Sequence, residues 1–271
     1  MRAGVSRLRR PSAARAFGAA LSALLVVFLL VPVVVLLLGT TPASVVEAVR
    51  EGEVQRSLAV TLGGAAIATV LGLLGGLPLA YALARGRLPG RRLINALLGL
   101  PVIIPHTSAG VALLLTYGAR GPLGAPLGRL GLFFTDRLSG VVVAMMFVSA
   151  PFLVAAARDA FAAIAQDLAE AAQCDGASAW QTAWHVTLPL ARRGVLGGAL
   201  LMWARGISEF GAVVMLAYHP RTLAVLVYER FQGYGLTRAT PLAALLIVIA
   251  LVVFAVAGHL LGRSDGPDPE R

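Results

Sequence analysis

Long uncharged apolar runs recur along the chain and predict six membrane-spanning helices. A helix needs about 20 mostly apolar residues to cross a bilayer, and six runs separated by arginines meet this requirement. They predict spans at 17–38, 57–84, 93–117, 138–157, 194–218 and 239–262. The first run exceeds the roughly 7–15 apolar residues of a signal peptide, so we expect it to be an uncleaved helix.

The composition agrees with an all-α membrane protein. Hydrophobic residues make up 58% of the chain and charged residues only 13%, against roughly a quarter charged in soluble proteins. This excludes a soluble globular domain and a coiled coil. Every basic residue is an arginine, so no lysine is available to bind ATP in a P-loop. The single Cys174 excludes an internal disulfide, and the histidines lack metal-ligand spacing. We therefore expect neither a catalytic centre nor a metal site.

The arginines are distributed unevenly between the two sides of the predicted spans. With a cytoplasmic N-terminus, 14 arginines lie inside, 8 lie outside and Arg205 lies within the membrane. Because cytoplasmic loops carry the excess of basic residues, we expect both termini in the cytoplasm: an N-terminal segment at 1–15, a six-span domain at 16–262 and a tail at 263–271. This rule explains the net charge of +10. We therefore expect the chain to contact membrane lipid, and no nucleic-acid partner is needed to explain its charge.

The longest cytoplasmic loop, 158–193, begins with signals for a short helix and a turn. Its residues 167–173 predict the helix. Asp175 and Gly176 form a turn dipeptide, in which the glycine can adopt the left-handed conformation that ends a helix. The loop therefore reverses direction sharply after its first helix.

A second short helix is predicted in the same loop. Ser178 followed by Gln181 fits a capping box at its start, and the Leu188-Pro189 pair is expected to end it before the fifth span. The loop then lies against the inner membrane face as helix, turn and helix. The alternative interpretation is an ordinary amphipathic connector.

The loop contains Glu170-Ala171-Ala172, then Gly176 four residues after Ala172, and then Leu188-Pro189. This spacing from a glutamate through a glycine to a Leu-Pro pair resembles the EAA loop of the permeases of binding-protein-dependent ABC transporters. It implies a type I ABC importer permease fold, in which the loop is the coupling helix that docks on a separate ATPase subunit. That subunit, in two copies, would bind ATP and Mg, with no cofactor in this chain. The residues implied at the ATPase contact are Glu170, Ala171, Ala172, Asp175, Gly176, Leu188 and Pro189.

The fifth span contains an arginine and a glutamate at membrane depth. Arg205 and Glu209 are four residues apart, which predicts that both lie on one helix face. A charge inside a bilayer is costly, so it pairs with another charge or lines a wet path. Two interpretations stay open: a structural ion pair that neutralises itself, or a translocation path or gate that includes Phe210.

The segment around this pair resembles the permeases of oxyanion importers. Glu209-Phe210-Gly211, within 206–217, is similar to molybdate, tungstate and sulfate permeases, and 228–236 is most similar to the molybdate/tungstate type. The resemblance implies a multi-pass permease in the inner membrane of a prokaryote. It would form a homodimer with a second permease chain and receive tungstate or molybdate from an extracytoplasmic oxyanion-binding protein. A sulfate or thiosulfate permease is the alternative, because sulfate permeases share the Glu-Phe-Gly core.

Two prolines interrupt the third span. Pro101 and Pro105, four residues apart, predict a kink that leaves backbone carbonyls free for other partners. This segment also resembles the same permeases, in which the third span borders the path. The resemblance implies that Pro105, His106 and Thr107 belong to the path. A kink needed only for packing, with His106 as a hydrogen-bonded core histidine, is the alternative.

Two other functional classes are weighed against an ABC permease. An intramembrane enzyme would need paired carboxylates, a Ser/His pair or a metal constellation around one cavity, and the few intramembrane ionisable residues fit no such motif. A secondary transporter would be expected to show inverted repeats or pairs of broken helices, and no internal repeat is evident in the sequence. Both are therefore remote alternatives.

Overall fold

The structure is a computed structural model that describes residues 13–86 and 88–261. Most of the predicted N-terminal segment, Arg87 and the predicted tail at 263–271 lie outside the described residues. Within the described ranges the chain is helical and contains no β-strand. A π-helical turn covers Ala183–Thr187, and the α-helices in chain order are α1 (Ala13–Leu38), α2 (Pro42–Arg50), α3 (Gly52–Ala84), α4 (Arg91–Ile103), α5 (His106–Tyr117), α6 (Gly124–Arg129), α7 (Leu138–Ala162), α8 (Gln166–Cys174), α9 (Ala179–Thr182), α10 (Leu188–Ile207), α11 (Gly211–Leu216), α12 (Leu223–Tyr234) and α13 (Leu236–Leu261).

Four helices in the described part of the chain are long and apolar enough to cross a membrane. They are Phe17–Leu38 within α1, the whole of α3, the whole of α7, and Leu236–Val256 within α13. They coincide with the first, second, fourth and sixth predicted spans. These helices confirm the all-α membrane protein, while the full count of six spans stays a prediction.

The third predicted span is a broken helix rather than a kinked one. Helices α4 and α5 meet at an angle of 112°, with Ile104 in an extended conformation at φ −70° and ψ 144°. The expectation of a continuous kinked helix is therefore wrong. Pro105 disfavours the helical conformation in the residue before it and lacks a backbone donor, but Pro101 is accommodated inside α4, so the proline alone does not decide the break.

The fifth predicted span is also not one helix. Helix α10 ends at Ile207, and after Ser208, Glu209 and Phe210 the chain starts the short helix α11. The Glu209 carboxylate accepts a hydrogen bond from the backbone N–H of Ala212. It thereby offers α11 a separate start and competes with continuation of α10. A hydropathy pattern does not register this competition, since the apolar residues on both sides of Arg205 and Glu209 together are still long enough for one span.

Small residues allow the central helices to pack closely. Helix α7 lies along both α3 and α10. A Cβ added to Gly72 of α3 would lie 2.5 Å from Met202 Cε of α10, and one added to Gly198 of α10 would lie 2.9 Å from Ala156 Cβ of α7. Close approach through small residues is the usual way in which membrane helices associate. The buried core between these helices includes Ala65, Met145, Leu153 and Met202.

Helices α5 and α11 form a second close contact, which brings the two helix breaks together. A Cβ added to Gly110 of α5 would lie 2.6 Å from Met215 Cβ and 2.9 Å from Ala212 Cα of α11. Because these are backbone and near-backbone atoms, they cannot move aside cheaply. Gly110 is therefore required for the seam between α5 and α11.

We expect Gly110→Ala to destabilise the protein by about 1–3 kcal/mol through overpacking. The matched control is Gly75→Ala, because a Cβ there would meet no atom within 4 Å and alanine favours a helix over glycine by about 0.5–1 kcal/mol. Thermal unfolding of the purified variants in detergent measures the difference. Equal unfolding temperatures for the two variants would show that the seam is not tightly packed.

Candidate translocation path and coupling loop

The breaks after α4 and α10 place polar side chains from distant parts of the chain in contact. His106 is the first residue of α5, and Glu209 lies in the break between α10 and α11. The backbones approach closely because Gly211 has no side chain: a Cβ there would lie 2.8 Å from His106 Cβ. His106, Arg205 and Glu209 together are called the polar cluster below.

Glu209 is the buried centre of the polar cluster. Only 1% of its side chain is exposed. Its Oε1 accepts the Ala212 N–H at 2.9 Å, while its Oε2 lies 3.1 Å from Arg205 Nη2 and 3.3 Å from His106 Nδ1. A buried carboxylate requires such partners, because desolvating an unpaired charge is very unfavourable.

Arg205 and His106 form the accessible side of the polar cluster. Their side chains are 21% and 35% exposed. Arg205 Nη2 lies 2.9 Å from His106 Nε2 and 3.0 Å from its Nδ1. Because a guanidinium only donates, the imidazole is the acceptor in this contact, and Arg205 Nη2 lies almost equally close to both ring nitrogens.

Arg205 and Glu209 are in contact, as their spacing suggested, but they do not share a helix face as predicted. Glu209 lies beyond the end of α10, so the two side chains meet across a helix terminus rather than along one face. The third member, His106, is 99 residues from Arg205. No spacing in the sequence predicts that contact. The one signal in the sequence is that all three polar residues interrupt apolar runs.

The other residues suggested for the path lie around the polar cluster. Pro105 and Thr107, on either side of His106, are exposed. Phe210 is half-buried and packs against Tyr228 of α12 with the two rings tilted by 48° and their centroids 5.0 Å apart. Ser208, which sequence reasoning missed, lies 3.3 Å from Arg205 Nη1 through its Oγ.

The loop 158–193, called the coupling loop below after the role that its resemblance implies, begins as predicted, with a helix and a sharp turn. Helix α8 covers the predicted 167–173 with one more residue at each end. Gly176 has φ +94°, and the N–H groups of Gly176 and Ala177 donate to the carbonyls of Gln173 and Ala172, both at 3.0 Å. This is the Schellman arrangement, which requires a residue in the left-handed region.

The second part of the coupling loop differs from its prediction at its end. The capping box is present: Ser178 Oγ accepts the Gln181 N–H, and the Gln181 side chain accepts the Ser178 N–H. The Leu188-Pro189 pair, however, does not end the helix. From α9 the chain continues through the π-helical turn into α10. Pro189 lies directly after the π-helical turn, where the regular hydrogen bonding of an α-helix is already interrupted, so its missing N–H costs less than inside a regular α-helix.

The residues suggested for ATPase contact fall into two groups. Four of them are exposed on α8 and its turn, namely Glu170, Ala171, Asp175 and Gly176, and Ala172 beside them is half-buried. Glu170 accepts a hydrogen bond from Gln166 Nε2 at 2.9 Å. The second group, Leu188 and Pro189, lies at the base of α10, where Leu188 packs against the core that includes Phe161.

A network of ion pairs lies on the loops predicted outside the membrane. Arg230 contacts Glu51 at 2.6 Å and Glu53 at 2.8 Å, and Arg221 contacts Glu53 at 2.5 Å and Glu229 at 2.7 Å. The hydrogen bond to Glu51 raises the pKa of Arg230 above its usual value. The network borders a cavity of about 520 Å³ and joins α12 to the corner between α2 and α3. The sequence contains no spacing signal for it.

Among the described residues, no three His, Cys, Asp or Glu side chains are grouped as metal ligands would be.

Comparison with known proteins identifies the family. The molybdate/tungstate transport system permease protein WtpB of Thermococcus kodakarensis is 35% identical over 249 residues, which cover 91% of this chain and 96% of that protein. A probable sulfate transport system permease protein, cysT of Zygnema circumcarinatum, is 32% identical, covering 87% of this chain and 84% of that protein.

Solved structures support the same fold. A bacterial ABC transporter that imports the acidic polysaccharide alginate has a chain that superposes with a TM-score of 0.71 at 18% identity, covering 92% of this chain and 96% of that chain. The family model described as "Binding-protein-dependent transport system inner membrane component" matches residues 68–264. From this match, from the similarity to the permeases and from the shared fold, we conclude that the chain belongs to the inner-membrane components of binding-protein-dependent transport systems, the permease subunits of ABC importers.

Proposed function

We propose that this permease moves a tetrahedral oxyanion, molybdate or tungstate, from an extracytoplasmic binding protein into the cytoplasm. The observation that carries the substrate class is the 35% identity to a molybdate/tungstate permease over nearly the whole of both chains. Sulfate or thiosulfate is the second candidate, and the similarity to a sulfate permease favours it. All these ligands are dianions with a tetrahedral central atom.

The proposed assembly contains more chains than this one. Residues 16–262 form the permease domain of a multi-pass protein in the inner membrane of a prokaryote, with both termini in the cytoplasm. Two copies of the chain enclose the path, since one such chain supplies half of it. Two ATPase subunits bind ATP and Mg on the cytoplasmic side. This chain contributes conformational coupling rather than bond chemistry.

The polar cluster is the proposed gate of the path. A dianion is attracted by Arg205 and repelled by Glu209, so the cluster holds neither sign of charge strongly. A conduit has this requirement, because it must release the ion that it admits. The partial exposure of Arg205 and His106, beside a fully buried Glu209, supports a cluster that faces a wet path on one side.

The coupling loop is the proposed contact with the ATPase, through Glu170, Asp175 and the turn at Gly176. Helical structure runs without interruption from Ala179 to Ile207, a distance of about 40 Å at 1.5 Å per residue. Arg205 lies near one end of this rod and the coupling turn lies at the other. Movement of the loop by the ATPase is thereby transmitted to the polar cluster.

Transport measurements test the substrate class. In vesicles that contain the permease, its ATPase and its binding protein, we expect ATP-dependent uptake of molybdate and tungstate, with sulfate competing only at much higher concentration. The physical reason is that the closely related dianions differ in size and in how tightly they are hydrated, and the binding protein selects between them. Sulfate uptake that excess molybdate does not reduce would reassign the substrate.

Gly176→Val tests the coupling turn. A β-branched side chain strongly disfavours φ > 0, so we expect the variant to insert in the membrane but to lose stable association with the ATPase. The matched variant is Gly176→Asn, because asparagine enters the left-handed region more readily, and it should retain more of the association. Co-purification of the two subunits is the measurement. Full association and transport in the valine variant would exclude this docking role.

Glu209→Gln tests the gate. The glutamine can still accept the Ala212 N–H, but its amide faces Arg205 with a donor, so Arg205 is left free to retain the anion. We expect uptake to fall about tenfold, the equivalent of one altered hydrogen bond to a charged group, while ATP hydrolysis stimulated by loaded binding protein continues. The control is Glu47→Gln, an exposed residue of α2. If Glu209→Gln and the double variant Arg205→Met/Glu209→Met both transport at the wild-type rate, the pair serves packing alone.

A further inference from the structure

The three members of the polar cluster are held with different firmness. Glu209 is anchored by the backbone N–H of Ala212 and is 1% exposed. Arg205 and His106 both reach it from the accessible side. This asymmetry matters for a gate, because one member has to change partners when an anion arrives while the buried charge stays satisfied.

Glu209 does not depend on Arg205 alone. Without the guanidinium it retains the Ala212 N–H on Oε1, and the His106 ring remains beside Oε2, with Nδ1 at 3.3 Å. Oε2 makes no hydrogen bond of normal geometry in this arrangement, so it can accept one from the imidazole after a small reorientation of the ring. That hydrogen bond would offset the cost of an unpaired buried carboxylate when Arg205 turns away.

Arg205 is attached in a way that permits it to turn. Only one of its nitrogens, Nη2, lies against both Glu209 and His106, and Nη1 reaches Ser208 Oγ at the long distance of 3.3 Å. The parallel pair of hydrogen bonds that makes arginine–carboxylate contacts strong is missing. Arg205 consequently retains donors for a further oxyanion ligand.

We propose that His106 is a positioning residue that holds Glu209 while Arg205 donates to a passing tetrahedral oxyanion, and that gives the guanidinium back when the anion leaves. The inference rests on the proposed path and assigns the exchange partner within it. Arg205 supplies donors to the anion, and the imidazole supplies a hydrogen bond to the Glu209 Oε2 that Arg205 leaves.

The experiment compares His106→Leu with His106→Gln in vesicles that contain the permease, its ATPase and its molybdate-loaded binding protein. Molybdate uptake and ATP hydrolysis are measured together. Leucine cannot donate to Glu209, so we expect uptake to fall about tenfold while ATP hydrolysis stays near the wild-type rate. Glutamine can donate to Glu209 and accept from Arg205, so it should restore most of the uptake. His259→Leu, the same change on α13, is the control and should leave both rates unchanged.

A double variant separates this role from a merely structural one. In a Glu209→Gln background, His106→Leu should cause no further loss of uptake, because the carboxylate that His106 holds is no longer present. Three results would each overturn the role of His106. The losses of uptake in His106→Leu and Glu209→Gln could add in the double variant, His106→Leu alone could show normal uptake, or His106→Gln could fail to restore the uptake that His106→Leu loses. Normal uptake by the leucine variant together with a defect in Glu209→Gln would leave the proposed path intact. Normal uptake by both would remove the path itself.

Discussion

A carboxylate buried in an apolar helix bundle must be surrounded by donors, and much of the centre of this permease follows from that requirement. Glu209 satisfies one oxygen with the backbone N–H of Ala212, which starts α11 as a separate helix. Its other oxygen lies 3.1 Å from Arg205 of α10 and 3.3 Å from His106 of α5. A single buried charge thereby ties together three segments that are otherwise held by small apolar contacts.

The same requirement explains why two helices can break at membrane depth. A break exposes backbone groups that have no water to bind, and it is tolerated only where protein surrounds it or where it lines a wet cavity. Here the two breaks face one another across the seam of Gly110 and Gly211, and the polar cluster fills the space between them. Two local faults in helical structure thus form one polar site.

Mechanical connection to the cytoplasmic side depends on a different set of contacts. The Schellman turn at Gly176 and the capping box at Ser178 stabilise both ends of a tight reversal. The π-helical turn then joins α9 to α10 without a loop, so the coupling turn and Arg205 belong to one rod. In the proposed mechanism this rod transmits ATPase movement, and the exchange of partners at Glu209 converts it into passage of an anion.

The sequence by itself determined the features that depend on neighbouring residues. Apolar runs predict the four membrane helices observed in the described residues. The Asp175-Gly176 dipeptide predicts the coupling turn, and Ser178 predicts the capping box. The EAA spacing indicates the family. These signals are local, so one chain segment contains all of their physics. Only the tertiary structure decided that Pro105 breaks its helix completely, that Glu209 starts a new helix instead of continuing α10, and that His106 joins a pair 99 residues away. The reason is that the partners of a buried charge are chosen by which segments can approach closely, and hydropathy and spacing do not contain that information.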